Sequence, residues 1–183
     1  LVAGQLGILP APHLAAQDRR QASGDGAGLV LLQELGGRLR RAALAHGAMA
    51  WREAGQGVPL LLLHGIGSGS GSWGGQFAAF AATHRVIAWD APGYGESDPL
   101  PNSQPMATDY ARALDRLLDE LNVNEAIVLG HSLGAIVAAA WCATTQRTVR
   151  GLLLASPARG YATASDDVRE TKYRERLQMV ERL

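Results

Sequence analysis

The sequence predicts an α/β fold built on a mostly parallel, doubly wound sheet. From residue 58 onward, short apolar segments of strand character alternate with longer segments of helical periodicity. Such alternation is typical of a parallel sheet with helices on both faces. The segment VPLLLLH, at 58–64, is apolar at successive positions and is predicted to be a strand buried on both faces. The 183 residues, 47% of them apolar, suffice for one domain with a real core.

The predicted elements follow in order along the chain. Strands are predicted at 41–46, 48–54, 58–64, 84–90, 125–130 and 149–156. Helices are predicted at 73–83, 107–122, 133–145 and 165–183. The first helix carries Trp73, Phe77 and Phe80 at helical spacing. The second is amphipathic, with its apolar face at Tyr110, Leu114, Leu117, Leu118 and Leu121. The last is highly charged, and Ser165 is its expected N-cap.

Charge and composition argue against several classes of partner. The chain has 17 basic and 17 acidic residues, so no net field attracts nucleic acid or an anionic membrane surface. No apolar run reaches the roughly 18 residues of a membrane span. The single cysteine, Cys142, lies in an alanine-rich helix and is interpreted as a buried structural thiol. These features predict a cytoplasmic protein with no cofactor and no metal site.

A nucleophile motif follows the strand predicted at 125–130. Gly130, Ser132 and Gly134 form G-x-S-x-G between a buried strand and a helix, which is the context that a nucleophile elbow requires. A serine on so sharp a turn adopts a strained backbone, and the two glycines remove the clashes that side chains would cause. The turn also places the Leu133 amide at a helix N-terminus, where it can face an oxyanion.

The loop after the strand at 58–64 has two possible functions. Gly69, Gly71 and Gly74 spell G-x-G-x-x-G, and Asp90 ends the following strand, as in a dinucleotide-binding site. In that fold, however, the first glycine directly follows the strand, whereas here several residues intervene. A dinucleotide-binding oxidoreductase therefore stays an alternative hypothesis.

The second function is stabilisation of an oxyanion. An oxyanion hole needs one amide from the residue after the serine and one from a glycine-bearing loop after an earlier strand. The stretch HGIG supplies such a loop, with the Ile66 amide as the expected donor and His64 and Gly65 as its support. This interpretation is favoured because the glycine follows the strand closely.

Three motifs carry a resemblance to a known family. LLLLHGIG, VIAWDAPGYGESDP and GHSLGA, in this order, resemble the α/β-hydrolase superfamily over about residues 40–160. Within it the chain is most similar to bacterial cap-bearing serine hydrolases, the group that contains 3-oxoadipate enol-lactonase-like enzymes and small carboxylesterases. The resemblance implies an incomplete α/β-hydrolase core at 38–160 and the start of a cap region at 161–183. Residues 1–37 are interpreted as a leader or linker.

The resemblance also implies an activity and residue roles. The implied function is hydrolysis of an ester, lactone or related small-molecule acyl substrate, with Ser132 as the nucleophile. Asp90 is implied to have a structural role, as a hydrogen-bonding carboxylate in a turn.

The acid and base of a triad are missing from the chain. In this fold they follow the serine, in the order acid and then histidine. All five histidines precede Ser132, namely His13, His46, His64, His84 and His131. His131 is interpreted as a packing residue, and Asp166 and Asp167 as the start of the charged helix. The chain is therefore expected to be truncated and inactive as a fragment, and a non-catalytic α/β scaffold is the other alternative.

Overall fold

The computed structural model describes residues 36–157 except residue 46, together with 165–168, 170, 171 and 174. The predicted leader at 1–37 lies outside these residues apart from its last two, as do His13 and His46. Most of the predicted cap region at 161–183 lies outside them as well. The residues of that region that are described are helical from Asp166 onward, one position after the predicted N-cap.

A six-stranded sheet forms the centre of the molecule. The strands are β1 (Arg38–Leu44), β2 (Gly47–Ala54), β3 (Val58–Leu63), β4 (His84–Trp89), β5 (Glu125–His131) and β6 (Thr148–Ala155). Their order in the sheet is β1-β2-β4-β3-β5-β6. β1 pairs with β2 and β2 with β4 in antiparallel fashion, and every other pair is parallel. The predicted α/β fold with a mostly parallel sheet is thus confirmed.

Helices cover the sheet on both faces. They are α1 (Gly74–Phe80), which follows a 3-10 turn at Ser70–Trp73, α2 (Ala107–Glu120) and α3 (Leu133–Thr144). Leu61 and Leu63 of β3 belong to one apolar cluster with residues of α2 and α3, whereas Leu60 and Leu62 belong to a second with Phe77 of α1. Both faces of β3 are therefore buried, which explains its uninterrupted apolar run. Among the described residues, no helix has the length and apolarity needed to cross a bilayer.

The first helix is shorter than predicted. The helical prediction covered 73–83, but α1 ends at Phe80 and a turn at 81–83 leads into β4. Trp73 and Phe77 are buried, whereas Phe80 is 40% exposed. Because the chain turns back immediately after Phe80, its ring lies at the end of the helix and contacts the His84 ring at a centroid distance of 6.1 Å.

The two edges of the sheet differ in character. β1 presents Arg38, Arg40 and Arg41 along an exposed edge, and charged side chains on an edge strand oppose pairing with another chain. β6 instead carries three consecutive leucines at 152–154, each between 40% and 50% exposed. In the part of the chain that the structure describes, no further strand pairs with β6. The β6 edge is thus the apolar and unprotected one.

We expect the 183-residue polypeptide to self-associate through β6, because an exposed apolar edge pairs readily with other chains. Leu153→Lys should shift the polypeptide towards monomer in analytical ultracentrifugation, since a lysine places a charge on that edge. The matched control is Leu39→Lys on the opposite edge, where a leucine of similar exposure already lies among arginines. Equal self-association of the parent chain and the Leu153→Lys variant would contradict the prediction.

Candidate active site

The serine of G-x-S-x-G lies at the turn between β5 and α3. Ser132 has φ 54° and ψ −110°, a left-handed backbone conformation that is uncommon for a residue with a side chain. Hydrogen bonds hold it there. Its N–H donates to the Ala155 carbonyl at 3.0 Å, and its carbonyl accepts from the Ala135 N–H at 3.2 Å. Strain maintained by surrounding structure is typical of functional positions.

The two glycines that flank the serine are required by close backbone approaches. A Cβ at Gly130 would overlap the Gly134 carbonyl oxygen, and a Cβ at Gly134 would overlap the Leu63 carbonyl oxygen at the end of β3. The overlapped atoms are main-chain atoms of packed elements and cannot rotate away. The glycines therefore allow α3 to start directly against the end of β3.

The loop after β3 lies beside the serine. We call residues 64–70 the oxyanion loop, after the function predicted for it. A Cβ at Gly65 would lie 3.1 Å from the Ser132 Cβ, so the loop and the serine are neighbours. Ile66 is 50% exposed, and Gly67 has φ +71° with open space around it. The middle of the loop is therefore open to solvent next to the serine.

Two backbone amides near the serine lack acceptors. Leu133 is the first residue of α3, where an N–H has no intrahelical partner. Among the described residues, neither the Leu133 N–H nor the Ile66 N–H has a hydrogen-bond acceptor. These are the two donors that the sequence predicts for an oxyanion hole.

His64 is fixed in one tautomer beneath the loop. It is 1% exposed, and its Nε2 accepts a hydrogen bond from the Ala91 N–H at 3.0 Å. Its Nδ1 therefore carries the proton and donates to the Gly65 carbonyl at 2.8 Å. The Tyr94 ring packs against it edge to face, with centroids 5.1 Å apart. Burial lowers the pKa of His64, although the Gly65 hydrogen bond and the Asp90 charge act in the opposite direction.

We expect this histidine to make stability depend on pH. Because the folded-state pKa of His64 lies below its unfolded value of about 6.5, only the unfolded state takes up the proton as pH falls through that value. The free energy of unfolding should then fall by up to about 1.4 kcal/mol per pH unit below pH 6.5. Urea titrations between pH 7.5 and 5 measure this slope, and His64→Gln should reduce it.

The matched control is Asn102→Gln, because Asn102 is exposed and carries no titratable group. This variant should retain the slope of the parent chain. If His64→Gln and the parent chain lose stability equally on acidification, buried neutral His64 is not the cause.

Asp90 is a buried structural carboxylate. It is 4% exposed, and its two oxygens accept hydrogen bonds from the Ser70 N–H at 2.6 Å and the Glu96 N–H at 3.2 Å. A carboxylate enclosed in this way is not available to a ribose hydroxyl, which weakens the dinucleotide hypothesis. The arrangement fits the structural role that the resemblance implies.

Sequence reasoning gave no role to Ser97, which is buried in the loop after β4. Its hydroxyl donates to the Asp90 carbonyl at 2.7 Å and accepts from the Ala50 N–H at 2.9 Å. It thereby joins the loop to β2. A serine after a glycine-rich turn carries no distinctive sequence signal, since turns contain serine for many reasons.

The prediction that His131 is a packing residue is wrong. The side chain is exposed at the end of β5, and its Nδ1 would lie 3.1 Å from a Cβ at Gly65. It occupies the last position of β5, still paired with Ala155 of β6, and is the exposed residue of that strand. Asp166 and Asp167 are exposed at the start of a helical segment, in agreement with the prediction.

No metal centre is evident in the described part of the chain. There, no group of three or more His, Cys, Asp or Glu side chains could hold a metal ion. Cys142 is partly buried, and burial raises the pKa of its thiol, so it is a poor nucleophile at neutral pH.

Comparisons with known proteins show the family to which the chain is similar. The family described as alpha/beta hydrolase fold matches residues 58–180. A protein of Azorhizobium caulinodans, provisionally named carbamate hydrolase RutD, is 37% identical over 130 residues, covering 68% of this chain and 47% of the relative. A 2-hydroxy-6-oxo-6-phenylhexa-2,4-dienoate hydrolase of Burkholderia cepacia is 36% identical over 86 residues, covering 45% of this chain and 30% of that enzyme.

A solved structure of the N-acyl homoserine lactonase AidH, complexed with N-butanoyl homoserine, is also similar. It superposes with a TM-score of 0.59 at 31% identity, covering 64% of this chain and 44% of that one. The chain thus spans less than half the length of the relatives described here.

Proposed function

Because the chain belongs to the α/β-hydrolase fold family, we propose that it carries the nucleophile and the oxyanion hole of a serine hydrolase. The substrate class is an ester, a lactone or a related small acyl compound. The observation that carries the proposal is the strained Ser132 at the start of α3, with Gly65 of the oxyanion loop against it. The alternative is a tight turn that contains a serine without a catalytic role. That alternative does not explain why the N–H groups of Ile66 and Leu133 have no acceptor among the described residues.

The proposed chemistry follows from the positions of these groups. The Ser132 hydroxyl attacks the substrate carbonyl while its proton passes to a general base, and the carbonyl oxygen becomes an oxyanion. Collapse of this intermediate expels the alcohol group, which takes up the proton, and water then hydrolyses the acyl-enzyme in the same way. The Ile66 and Leu133 N–H groups stabilise the charge of the oxyanion, since Leu133 follows the serine, Ile66 follows the Gly65 that lies against it, and neither N–H has another acceptor among the described residues. Loss of one such donor typically costs about 10²–10³-fold in rate. His64 and Gly65 hold the loop that carries the first donor.

The substrate class draws on the relatives. One is an N-acyl homoserine lactonase, and another solved structure at 27% identity and a TM-score of 0.59 is a thermophilic esterase of Thermogutta terrifontis. Their substrates share a carbonyl that a serine can attack. We therefore propose acyl transfer to water as the reaction class, without assigning a particular ester or lactone.

We propose that the general base comes from outside the described site. The 183 residues contain no histidine after Ser132, and His64 is engaged at both ring nitrogens. We propose that the polypeptide of these 183 residues alone hydrolyses esters at a rate close to background, because loss of the base costs several orders of magnitude.

A fluorophosphonate probe tests the nucleophile. The longest natural polypeptide that contains these residues should be labelled, and peptide mapping should find the label on Ser132. Absence of label, beside a control serine hydrolase that is labelled, would contradict the proposal and favour a non-catalytic scaffold. Titration with NADH tests the remaining alternative, since micromolar binding that Asp90→Ala abolishes would indicate a dinucleotide site.

A further inference from the structure

We propose that Asp90 is a positioning residue for the oxyanion loop. By binding the Ser70 N–H at the carboxyl end of the loop, it helps to fix the position of the Ile66 N–H. This inference rests on the proposed function. It goes beyond a structural role in a turn, because it assigns Asp90 an effect on the reacting geometry without contact to the substrate.

The first step is that hydrogen bonds to one neighbouring loop hold both ends of the oxyanion loop. At its start, the His64 ring accepts a hydrogen bond from the Ala91 N–H at 3.0 Å. At its end, the Asp90 carboxylate accepts one from the Ser70 N–H at 2.6 Å. Both tethers belong to consecutive residues that directly follow β4. The loop after β4 therefore fixes both ends of the oxyanion loop.

The second step is that the middle of the oxyanion loop has one hydrogen bond close to the Ile66 N–H, from the His64 Nδ1–H to the Gly65 carbonyl at 2.8 Å, and little other support. Ile66 is half exposed, and nothing lies within 4 Å of the place where a Gly67 Cβ would be. Gly67, with φ +71°, also gives the chain unusual freedom. The Gly65 carbonyl and the Ile66 N–H belong to one peptide group. The position of this N–H therefore depends on the His64 ring, which the Ala91 N–H holds, and on where the Ser70 end of the loop is held.

The third step is that Asp90 itself is held firmly. Its second carboxylate oxygen accepts from the Glu96 N–H at 3.2 Å, and its carbonyl accepts from the Ser97 hydroxyl at 2.7 Å. Gly95, with φ +51°, lies so close that a Cβ there would overlap the carboxylate. Because these contacts fix the carboxylate, its hydrogen bond to the Ser70 N–H can fix the end of the oxyanion loop.

Asp90→Asn is the discriminating variant. Asparagine has nearly the same shape, but one carboxylate oxygen becomes an NH₂ group, which cannot accept a hydrogen bond. Either the Ser70 or the Glu96 N–H then faces another donor. Asp98→Asn is the matched control, because Asp98 lies in the same loop but accepts from the Ala48 N–H and pairs with Arg41, away from the oxyanion loop.

The first measurement is amide hydrogen exchange of the 183-residue chain. Asp90→Asn should speed exchange in the peptide that covers residues 64–70 by about tenfold or more, while β5 keeps its protection. Asp98→Asn should leave the oxyanion loop unchanged. Unchanged exchange at 64–70 in Asp90→Asn, or equal loosening in both variants, would overturn the proposal whether or not the chain is catalytic.

The second measurement uses the longest natural polypeptide that contains these residues. A misplaced donor should lower kcat for an ester by about 10²-fold with little change in KM. It should also reduce the preference for an ester over the matching thionoester, because sulfur is a poor acceptor in an oxyanion hole. A merely destabilised enzyme would keep this preference, as Asp98→Asn is expected to do.

The outcomes separate the two proposals. If Ser132→Ala leaves the activity intact, the proposed function fails. If Ser132→Ala abolishes activity while Asp90→Asn keeps the parent's kcat and ester preference, the function stands and the role of Asp90 is wrong.

Discussion

Gly134→Ala is expected to prevent stable folding of the hydrolase core. The added Cβ would overlap the Leu63 carbonyl oxygen and would also crowd the His64 carbonyl oxygen, at 2.8 Å. Both are backbone atoms at the end of the central strand β3, which pairs on both sides and cannot shift alone. Forced overlap in a packed core costs about 1–3 kcal/mol and occasionally more, and this overlap lies at the upper end because no side chain can rotate away. We expect a loss of about 3 kcal/mol or more, a large fraction of the stability of a domain of this size.

The matched control for this variant is Gly74→Ala. Gly74 begins α1 with φ −52°, and nothing lies within 4 Å of its Cβ position. Alanine there should be neutral or stabilising by up to about 1 kcal/mol, because it has the higher helix propensity. Urea unfolding followed by circular dichroism compares the two. Equal unfolding midpoints would mean that α3 does not approach β3 as closely as described.

Ser132→Ala is expected to remove the activity of the longest natural polypeptide that contains these residues. Without the hydroxyl no acyl-enzyme can form, and only the oxyanion hole and substrate binding remain. The expected loss in kcat is about 10⁴-fold or more. Stability should not fall, because an alanine at this position has no hydroxyl to bury and the hydrogen bonds of the turn involve only the backbone of Ser132. Steady-state hydrolysis of p-nitrophenyl acetate, with thermal unfolding of the same samples, measures both effects.

Ser103→Ala is the control for loss of a serine as such, since Ser103 is exposed in the loop before α2. It should retain the parent activity. The 183-residue chain gives a further comparison, because its rate should be near background with or without Ser132. Robust turnover by that chain, lost in Ser132→Ala, would show that a histidine upstream of the serine acts as the base.

The sequence by itself determined the elements and the nucleophile motif. The apolar run of β3 predicted a strand buried on both faces, because only such a strand excludes polar side chains from every position. G-x-S-x-G between a strand and a helix predicted the turn at Ser132, because the close backbone approaches of such a turn require glycines at those two places. HGIG predicted a loop with an oxyanion function directly after β3, because the distance between a strand and the glycine that follows it can be read from neighbouring residues. The prediction of the length of α1 was less accurate, because the end of this helix depends on where the chain turns back to reach β4.

Only the tertiary structure decided what surrounds the serine. The partners of Asp90 are separated from it by up to 20 residues in sequence, and no local pattern shows that its carboxylate binds the Ser70 N–H rather than a ligand. The tautomer of His64 depends on the Ala91 N–H, 27 residues away, and its lowered pKa depends on burial by elements that meet only in the folded state. The exposure of His131, at the carboxyl end of β5, depends on which neighbouring elements cover that end of the strand. These features arise from long-range contacts, which the order of residues encodes only through the complete fold.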